Sequence, residues 1–164
     1  MAQYKKKKTK CDHKNVGVLI YKKCGKLLLV LRMKRPYGWS PPAIHADQDG
    51  ENFKAAARRA VLEKVGLDAQ KFVLLLKRTC ENKCVRRGGG WHNLRVFKAV
   101  GWRGNVKRSL NETKDVKWTS QAKIRALASL TEEHLKGKIS GRKWQKNPGL
   151  EVVWHKIFKN LSII

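Results

Sequence analysis

The sequence predicts an α/β fold, and three features of the chain support that prediction. Two apolar segments, at residues 16–21 and 26–31, have the composition of β-strands. A proline-containing loop then leads into an alanine-rich stretch at residues 54–67 that is typical of a helix. Towards the C-terminus, apolar residues recur at helical spacing from Leu150 to Leu161. Strands and helices are therefore interspersed in a chain of 164 residues, the length of one domain.

The first two strand segments are joined by a Lys-Lys-Cys-Gly turn at residues 22–25, so we expect a hairpin. A further pair is expected at residues 71–77, interpreted as a buried strand, and at residues 91–100. The connection between them, residues 78–90, is basic and ends in glycines. Residues 116–118 complete the predicted strands.

Four helices are predicted around these strands. Asn52 or Asp49 can cap the first, and Gly66 stands where a C-terminal glycine belongs. Thr119 or Ser120 can cap a second helix over residues 121–130, and a separate short helix is expected from Thr131. The apolar stripe of the C-terminal helix is expected to pack on the sheet rather than to bind a cofactor.

The chain is strongly basic. Its 38 Lys and Arg residues against 12 Asp and Glu give a formal net charge of +26. A chain this cationic repels itself unless an acidic partner neutralises it, which favours nucleic acid, with an anionic membrane surface as the alternative. Apolar residues make up 41% of the chain, so a packed core is still expected. No apolar run is long enough to span a bilayer and no signal-peptide core is present, so we expect a cytoplasmic location or a nucleoprotein particle.

We assign residues 1–15 to a basic N-terminal arm and residues 16–164 to one folded domain that includes the C-terminal helix. The arm is either a solvated terminus or a segment that orders along phosphates, and the charge of the whole chain favours the second interpretation.

The most informative stretch is the loop and helix at residues 39–67. The loop contains Pro42-Ala43-Ile44-His45, and the helix contains Arg59-Ala60-Val61-Leu62-Glu63-Lys64-Val65-Gly66-Leu67. This pattern resembles the Nudix box, in which a Pro-(Ala/Gly)-Gly-His loop and a Gly-Glu turn precede a helix with Arg-Glu-(apolar)-x-Glu-Glu-x-Gly-(apolar). The Pro-Gly-Leu-Glu-x-Val-Trp phrase near the C-terminus resembles a bacterial branch of the family. The resemblance covers roughly residues 16–164 and implies a Nudix-type α/β/α sandwich with a mixed β-sheet.

The chain departs from that family pattern at the residues that would bind metal. Positions 60, 63 and 64 share one helix face, where three carboxylates would bind Mg²⁺ together with substrate phosphates. Only Glu63 is acidic; position 60 is Ala60 and position 64 is Lys64. Ile44 also replaces a loop glycine. We therefore expect neither catalytic residues nor a cofactor; if activity remains, Glu63 and Glu112 are the residues that would hold Mg²⁺.

Two functions follow from these observations. The favoured one is a non-catalytic Nudix-fold protein that is a subunit or accessory factor of a ribonucleoprotein. It would bind nucleic acid, RNA rather than DNA, by contacts with the sugar-phosphate backbone of the nucleic acid. The alternative is a divergent Mg²⁺-dependent hydrolase of nucleoside diphosphate-linked compounds or nucleic acid 5′ ends. The candidate nucleic-acid contacts are Lys5, Lys6, Lys7, Lys8, Lys10, Arg32, Lys34, Arg35, Arg78, Lys83, Arg86, Arg87, Arg103, Lys107, Arg108, Arg142 and Lys143.

The four cysteines suggest a second kind of site. Cys11, His13, Cys80 and Cys84 could form a zinc knuckle between the start of the first strand and the second hairpin. Neither spacing is the Cys-x₂-Cys pair typical of zinc sites, so free thiols are the default interpretation.

Six tryptophans among so many cations suggest base stacking. We expect Trp118 and Trp154 in the core. The candidates for exposure are Trp39, Trp91, Trp102 and Trp144.

Overall fold

A computed structural model describes residues 10–47 and 50–164 of the chain, and it contains two β-sheets. One sheet has the order β4-β1-β6-β5 and is formed by β1 (Lys14–Leu19), β4 (Ala43–His45), β5 (Phe72–Cys80) and β6 (His92–Ala99). The other has the order β3-β2-β7 and is formed by β2 (Leu27–Arg32), β3 (Trp39–Ser40) and β7 (Thr113–Thr119). The helices are α1 (Phe53–Val65), α2 (Gln121–Leu135), α3 (Gly141–Lys146) and α4 (Val152–Asn160).

The larger sheet is mixed, as predicted: β1 runs parallel to β6 and antiparallel to β4. Side chains alternate between the two faces of the sheets because successive strand residues point in opposite directions. Val16 and Leu28 face a core formed with α1, whereas Leu19 and Leu29 face a second core formed with α2 and α4. Helices therefore cover both faces, which confirms the predicted α/β/α architecture.

The boundaries of α1 confirm the predicted capping residues. The Asn52 side chain accepts a hydrogen bond from the backbone amide of Ala55 at 2.8 Å. Gly66 ends the helix with φ of 70°, and its amide donates to the Leu62 carbonyl. This left-handed conformation favours glycine. Asp49, the other candidate cap, lies outside the described residues.

The expected hairpin between the first two strands is wrong. The chain pairs across the turn only at Tyr21 and Leu27, after which β1 and β2 enter different sheets. Residues 71–77 are likewise not a buried strand. Among the described residues β5 is an edge strand, with Val73 51% exposed and Leu74 and Leu75 each 39% exposed. A run of apolar residues does not distinguish a central strand from an edge strand.

The predicted break at Thr131 is also wrong, because α2 continues to Leu135. Ser120 caps the helix by accepting from the amide of Lys123. Thr131 is fully buried, and its hydroxyl is within 3.0 Å of the Leu127 carbonyl and 2.8 Å of the Leu150 carbonyl. Because these two buried carbonyls accept its hydroxyl, Thr131 is accommodated inside the helix, although threonine favours the N-terminal cap.

The C-terminal apolar stripe packs as expected, with Trp154, Ile157 and Phe158 buried on the second core. The other tryptophans fit the expectations less well. Trp39 and Trp144 are buried rather than exposed. Trp102 and Trp118 are both partly buried and stack on each other with ring centroids 5.2 Å apart. Trp91 is exposed, as predicted.

The N-terminal boundary lies closer to the start of the chain than the sequence suggests. Lys10 forms an isolated bridge with Arg87, Cys11 is buried, and β1 begins at Lys14. Residues 10–15, assigned to the basic arm, thus belong to the folded unit. Lys5, Lys6, Lys7 and Lys8 lie outside the described residues.

Candidate functional site

The α1 face that contains positions 60, 63 and 64 does not carry the three carboxylates of the Nudix pattern. Ala60 is fully buried. The Glu63 carboxylate is half exposed and lies 3.3 Å from the Arg59 guanidinium, one helical turn away. The Lys64 ammonium is in direct contact with the Glu112 carboxylate, and their side chains are 15% and 36% exposed. Both acids named from the sequence therefore face a cation of the protein itself.

Arg59 holds the box loop against α1. Its guanidinium binds both oxygens of Glu51, at 2.8 and 2.9 Å, and donates to Asp47 at 3.2 Å and to the His45 carbonyl at 2.8 Å. Burial alone would lower the pKa of Arg59, but the hydrogen bond and charge of Glu51 raise it above its usual value. The Arg59 side chain thus stays charged and fixes the loop through a planar, two-pronged contact.

The divalent metal that the Nudix resemblance implies does not fit these residues. Mg²⁺ requires oxygen ligands in octahedral geometry, and Ala60 offers none. The ammonium of Lys64 lies beside Glu112, where a metal ion would need negative charge. Ile44 packs on the core instead of leaving the open backbone of a glycine. The box frame is therefore retained without a metal-binding face.

The predicted nucleic-acid contacts fall into distinct environments. Arg32 is partly buried, and burial lowers its pKa, although the nearby charge of Glu151 acts in the opposite direction. Arg86 is only 11% exposed and donates to Asp47 at 2.5 Å. Arg103 pairs with Asp68 at 2.9 Å. Arg86 is thus held by Asp47, and Arg32 is partly withdrawn from the surface. Exposed positions are occupied by Lys10, Lys34, Arg35, Arg78, Lys83, Arg87, Arg103, Lys107, Arg108, Arg142 and Lys143.

Two of these exposed cations line one open groove of about 410 Å³. Arg35 comes from the loop after β2 and Lys83 from the tip of the β5–β6 hairpin. Aromatic rings complete the walls: Tyr37, and a stacked pair formed by His134 and Trp144, with centroids 4.0 Å apart and planes 6° apart. The fold thereby joins cations and aromatic surfaces that are distant in sequence.

A second cluster lies beside the box loop. Ligand atoms of Cys11, His45, Cys84 and His92 all lie within 4.8 Å of one another. Burial, together with the charge of Arg86, lowers the pKa of His45 to about 4, and burial also lowers the pKa of His92. Burial raises the pKa of the Cys11 thiol.

Of the four zinc ligands considered from the sequence, the structure brings together only Cys11 and Cys84. His13 instead stacks on Trp91, with centroids 3.9 Å apart, and its Nδ1 is 2.8 Å from the Trp91 carbonyl. Cys80 packs against the second core. His45 and His92 take their places in the cluster. Pairs of ligands on separate strands have no characteristic sequence spacing, so no short motif could have identified them.

None of the described helices combines the length and apolar character needed to cross a membrane.

Comparison with known proteins gives the family. The profile of the NUDIX domain family matches residues 12–139. No curated protein shows significant similarity to the chain. The MutT protein from Methanosarcina mazei Go1 is similar in structure, with a TM-score of 0.63, 19% identity, and coverage of 95% of this chain and 96% of the other.

Two further solved structures show the same fold. For a NUDIX hydrolase from Nitrosomonas europaea the TM-score is 0.57 and the identity 24%, with 77% of this chain and 90% of the other covered. For the NUDIX domain of Shewanella oneidensis NrtR, complexed with ADP ribose, the values are 0.54 and 21%, with 84% and 90% covered. At these identities the likeness concerns the fold alone. Because the family profile spans most of its length, the chain belongs to the NUDIX domain family.

Proposed function

We propose that this NUDIX-family chain is a non-catalytic protein that binds RNA, chiefly through the phosphate backbone, as a component or accessory factor of a ribonucleoprotein. The contact between Lys64 and Glu112 carries the non-catalytic part of this proposal. A metal-dependent hydrolase would have to separate this ion pair and then bind a dication beside an ammonium group. At 4 Å and an effective dielectric constant of 20, each unit of like charge opposes binding by about 4 kcal/mol.

The charge balance supports a polyanionic partner. Eight of the twelve acidic residues form ion pairs within the described chain: Asp47, Glu51, Glu63, Asp68, Glu112, Asp115, Glu132 and Glu133. Even if every acid neutralised one cation, the 38 Lys and Arg residues would leave an excess of 26 positive charges. Release of counterions from RNA phosphates by these cations would drive binding and make it steeply dependent on salt.

The groove formed by Arg35, Lys83 and the aromatic pair favours unpaired RNA over a regular duplex. Cations can contact phosphates on its rim, and Tyr37 offers a ring on which a base can stack. Arg35 already lies over the Tyr37 ring, 5.9 Å from its centroid. Splayed bases are more accessible in single strands than in a duplex, which supports an unpaired partner.

The alternative remains a divergent Mg²⁺-dependent hydrolase of nucleoside diphosphate-linked compounds or nucleic acid 5′ ends. The retained box frame favours it, and the related NUDIX domain of NrtR was solved with ADP ribose. In that case Glu63 and Glu112 would have to leave Arg59 and Lys64 to bind Mg²⁺. The hydrolase proposal therefore predicts Mg²⁺-dependent turnover that is lost in Glu63→Gln.

The decisive experiment measures RNA co-purification and then affinity for single-stranded RNA across a series of salt concentrations. We compare the wild type with Arg35→Ala/Lys83→Ala and with the control Lys123→Ala/Arg125→Ala. The control removes two exposed cations on α2, about 14 to 17 Å along the helix from His134. The groove variant should reduce the slope of log affinity against log salt by about 1.4, since each single-strand phosphate contact contributes about 0.7.

If the groove contributes these contacts, the control variant will retain both the affinity and the slope of the wild type more closely than the groove variant does. Wild-type protein that purifies free of nucleic acid and does not bind RNA at physiological salt would overturn the RNA-binding proposal. Mg²⁺-dependent hydrolysis that Glu63→Gln abolishes would overturn the non-catalytic part.

A further inference from the structure

We propose that Cys11, His45, Cys84 and His92 form a structural zinc site. The site would tie together three segments that are far apart in sequence: the residues before β1, the end of β4, and the β5–β6 hairpin, which supplies Cys84 from its tip and His92 from the start of β6. It uses none of the residues at positions 60, 63 and 64 of α1, and it does not depend on RNA binding.

The geometry of the donor atoms matches zinc. A tetrahedral ion with Zn–S of about 2.3 Å and Zn–N of about 2.0 Å requires neighbouring ligand atoms roughly 3.3 to 3.8 Å apart. Cys11 Sγ is 3.2 Å from His92 Nε2, and all four donors lie within 4.8 Å of one another. Small movements of side chains would therefore complete the tetrahedron. Two sulfur and two nitrogen donors favour zinc over magnesium or calcium, which prefer oxygen.

The groups around His92 orient it as a ligand. Its Nδ1 is 2.9 Å from the side-chain oxygen of Asn82, an atom that can only accept a hydrogen bond. The Nδ1 atom therefore carries the proton, which leaves the lone pair of Nε2 directed towards Cys11. Metal-binding histidines commonly have an outer partner of this kind.

The two cysteines share a local geometry suited to thiolates. The backbone amide of His13 donates to Cys11 Sγ at 3.3 Å, and the amide of Arg86 donates to Cys84 Sγ at 3.4 Å. In both cases the donor lies two residues after the cysteine. Hydrogen bonds of this kind stabilise the charged form of a thiol, which is the form that binds metal.

Two further observations distinguish this cluster from ordinary core packing. Nε2 of His45 is buried and has no hydrogen-bond partner among the residues that the structure describes. Buried polar atoms are normally satisfied, so an orphaned imidazole nitrogen beside two thiols indicates a missing ligand. The hairpin also approaches Cys84 so closely that a Cβ atom on Gly89 would collide with its sulfur. The glycine thus allows the loop to wrap around the cluster.

A zinc ion here would fix the tip of the hairpin. The described part of the hairpin tip, residues 81–91, has no strand pairing of its own beyond the bridge between Lys10 and Arg87. The amide of Cys11 donates to the Arg87 carbonyl at 3.0 Å, and that of Cys84 to the Gly89 carbonyl at 2.8 Å. Bound metal would add four strong bonds to this set of backbone contacts.

The test begins with full-length protein produced in zinc-containing medium, without a histidine tag, and analysed by elemental mass spectrometry. We expect one zinc per chain. Cys84→Ser should lose at least four-fifths of the metal, whereas Cys80→Ser, a cysteine of the same hairpin, and Cys24→Ser, an exposed cysteine, should retain it.

A second measurement does not depend on whether the variants fold. Wild-type protein stripped of metal and reloaded with Co²⁺ should show the intense visible bands of tetrahedral cobalt together with sulfur-to-cobalt charge transfer. Wild-type protein that neither retains zinc nor gives this spectrum would overturn the proposal. So would a disulfide between Cys11 and Cys84 in protein purified under reducing conditions, or full zinc retention by Cys84→Ser.

Discussion

The contact between Lys64 and Glu112 yields a quantitative prediction, because each side chain can be neutralised without a large change in volume. Lys64→Met keeps most of the aliphatic length, and Glu112→Gln keeps the shape of the carboxylate. Together with the double variant they form a double-mutant cycle that isolates the interaction between these two side chains from their other contacts.

The expected coupling free energy follows from the exposure of the pair. Charges about 4 Å apart attract by about 4 kcal/mol at an effective dielectric constant of 20. Desolvation and screening reduce this value, since Lys64 is 15% and Glu112 36% exposed. Exposed pairs contribute about 0 to 1 kcal/mol, whereas breaking a buried pair costs about 3 to 5 kcal/mol. For this partly exposed contact we expect a coupling of about 1 to 2 kcal/mol.

Denaturant unfolding of the four proteins at low salt, followed by circular dichroism, measures the coupling. The Lys64→Met variant should also lose about 2 to 8 °C in Tm, on the scale of a domain of this size. Millimolar Mg²⁺ should leave the wild-type Tm unchanged, because the ammonium group competes with the metal. A coupling within about 0.3 kcal/mol of zero, or stabilisation of the wild type by Mg²⁺, would refute the assignment of this ion pair to the former metal position.

Two further predictions concern pH and packing. Burial and the charge of Lys159 lower the pKa of His155, and its hydrogen bond with Glu132 only partly opposes them. Because the unfolded chain therefore binds a proton at His155 more readily than the folded chain does, stability should fall as the pH drops below about 6.5. His155→Gln should flatten that decline in urea midpoints measured from neutral to mildly acidic pH. An equally steep decline in the variant would exclude His155 as its source. Gly17→Ala should lower the free energy of unfolding by about 1 to 3 kcal/mol because the new methyl group collides with the Trp154 ring. The control Gly141→Ala should be neutral, since its methyl group would meet no described atom within 4 Å. Equal stability of the two variants in chemical denaturation would contradict this account.

Local signals predicted the parts of the fold that depend on neighbouring residues. Asn52 and Gly66 mark the ends of α1, and a stripe of apolar residues identifies α4. Pairing between distant segments could not be predicted in this way. β1 takes β6 as its parallel partner and β2 takes β7, so the expected hairpin separates into two sheets. Short α3 was not predicted, because six residues carry too little periodicity.

The candidate sites show the same division. Substitutions at positions 60 and 64 are visible in the sequence and predict the loss of the metal-binding face. The ion pair between Lys64 and Glu112 could not be predicted, because these residues are 48 positions apart and only the fold brings them into contact. Likewise, Cys11 and Cys84 were considered together from sequence, but His45 and His92 became their neighbours only through the packing of separate strands.

Because β5 is an edge strand, the charge of the protein affects its tendency to self-associate. Within the described part of the chain, this strand leaves backbone hydrogen-bonding groups unpaired along one edge, beside exposed Val73 and Leu75. An edge of this kind can pair with the same edge of a second copy. Exposed Lys71 and Lys77 flank the apolar residues, and long-range repulsion between highly cationic chains opposes their approach. Salt screens such repulsion within about 8 to 10 Å at physiological ionic strength. The basic surface therefore opposes pairing of this edge with that of another copy, and the protein should remain dispersed more readily in dilute buffer than in concentrated salt.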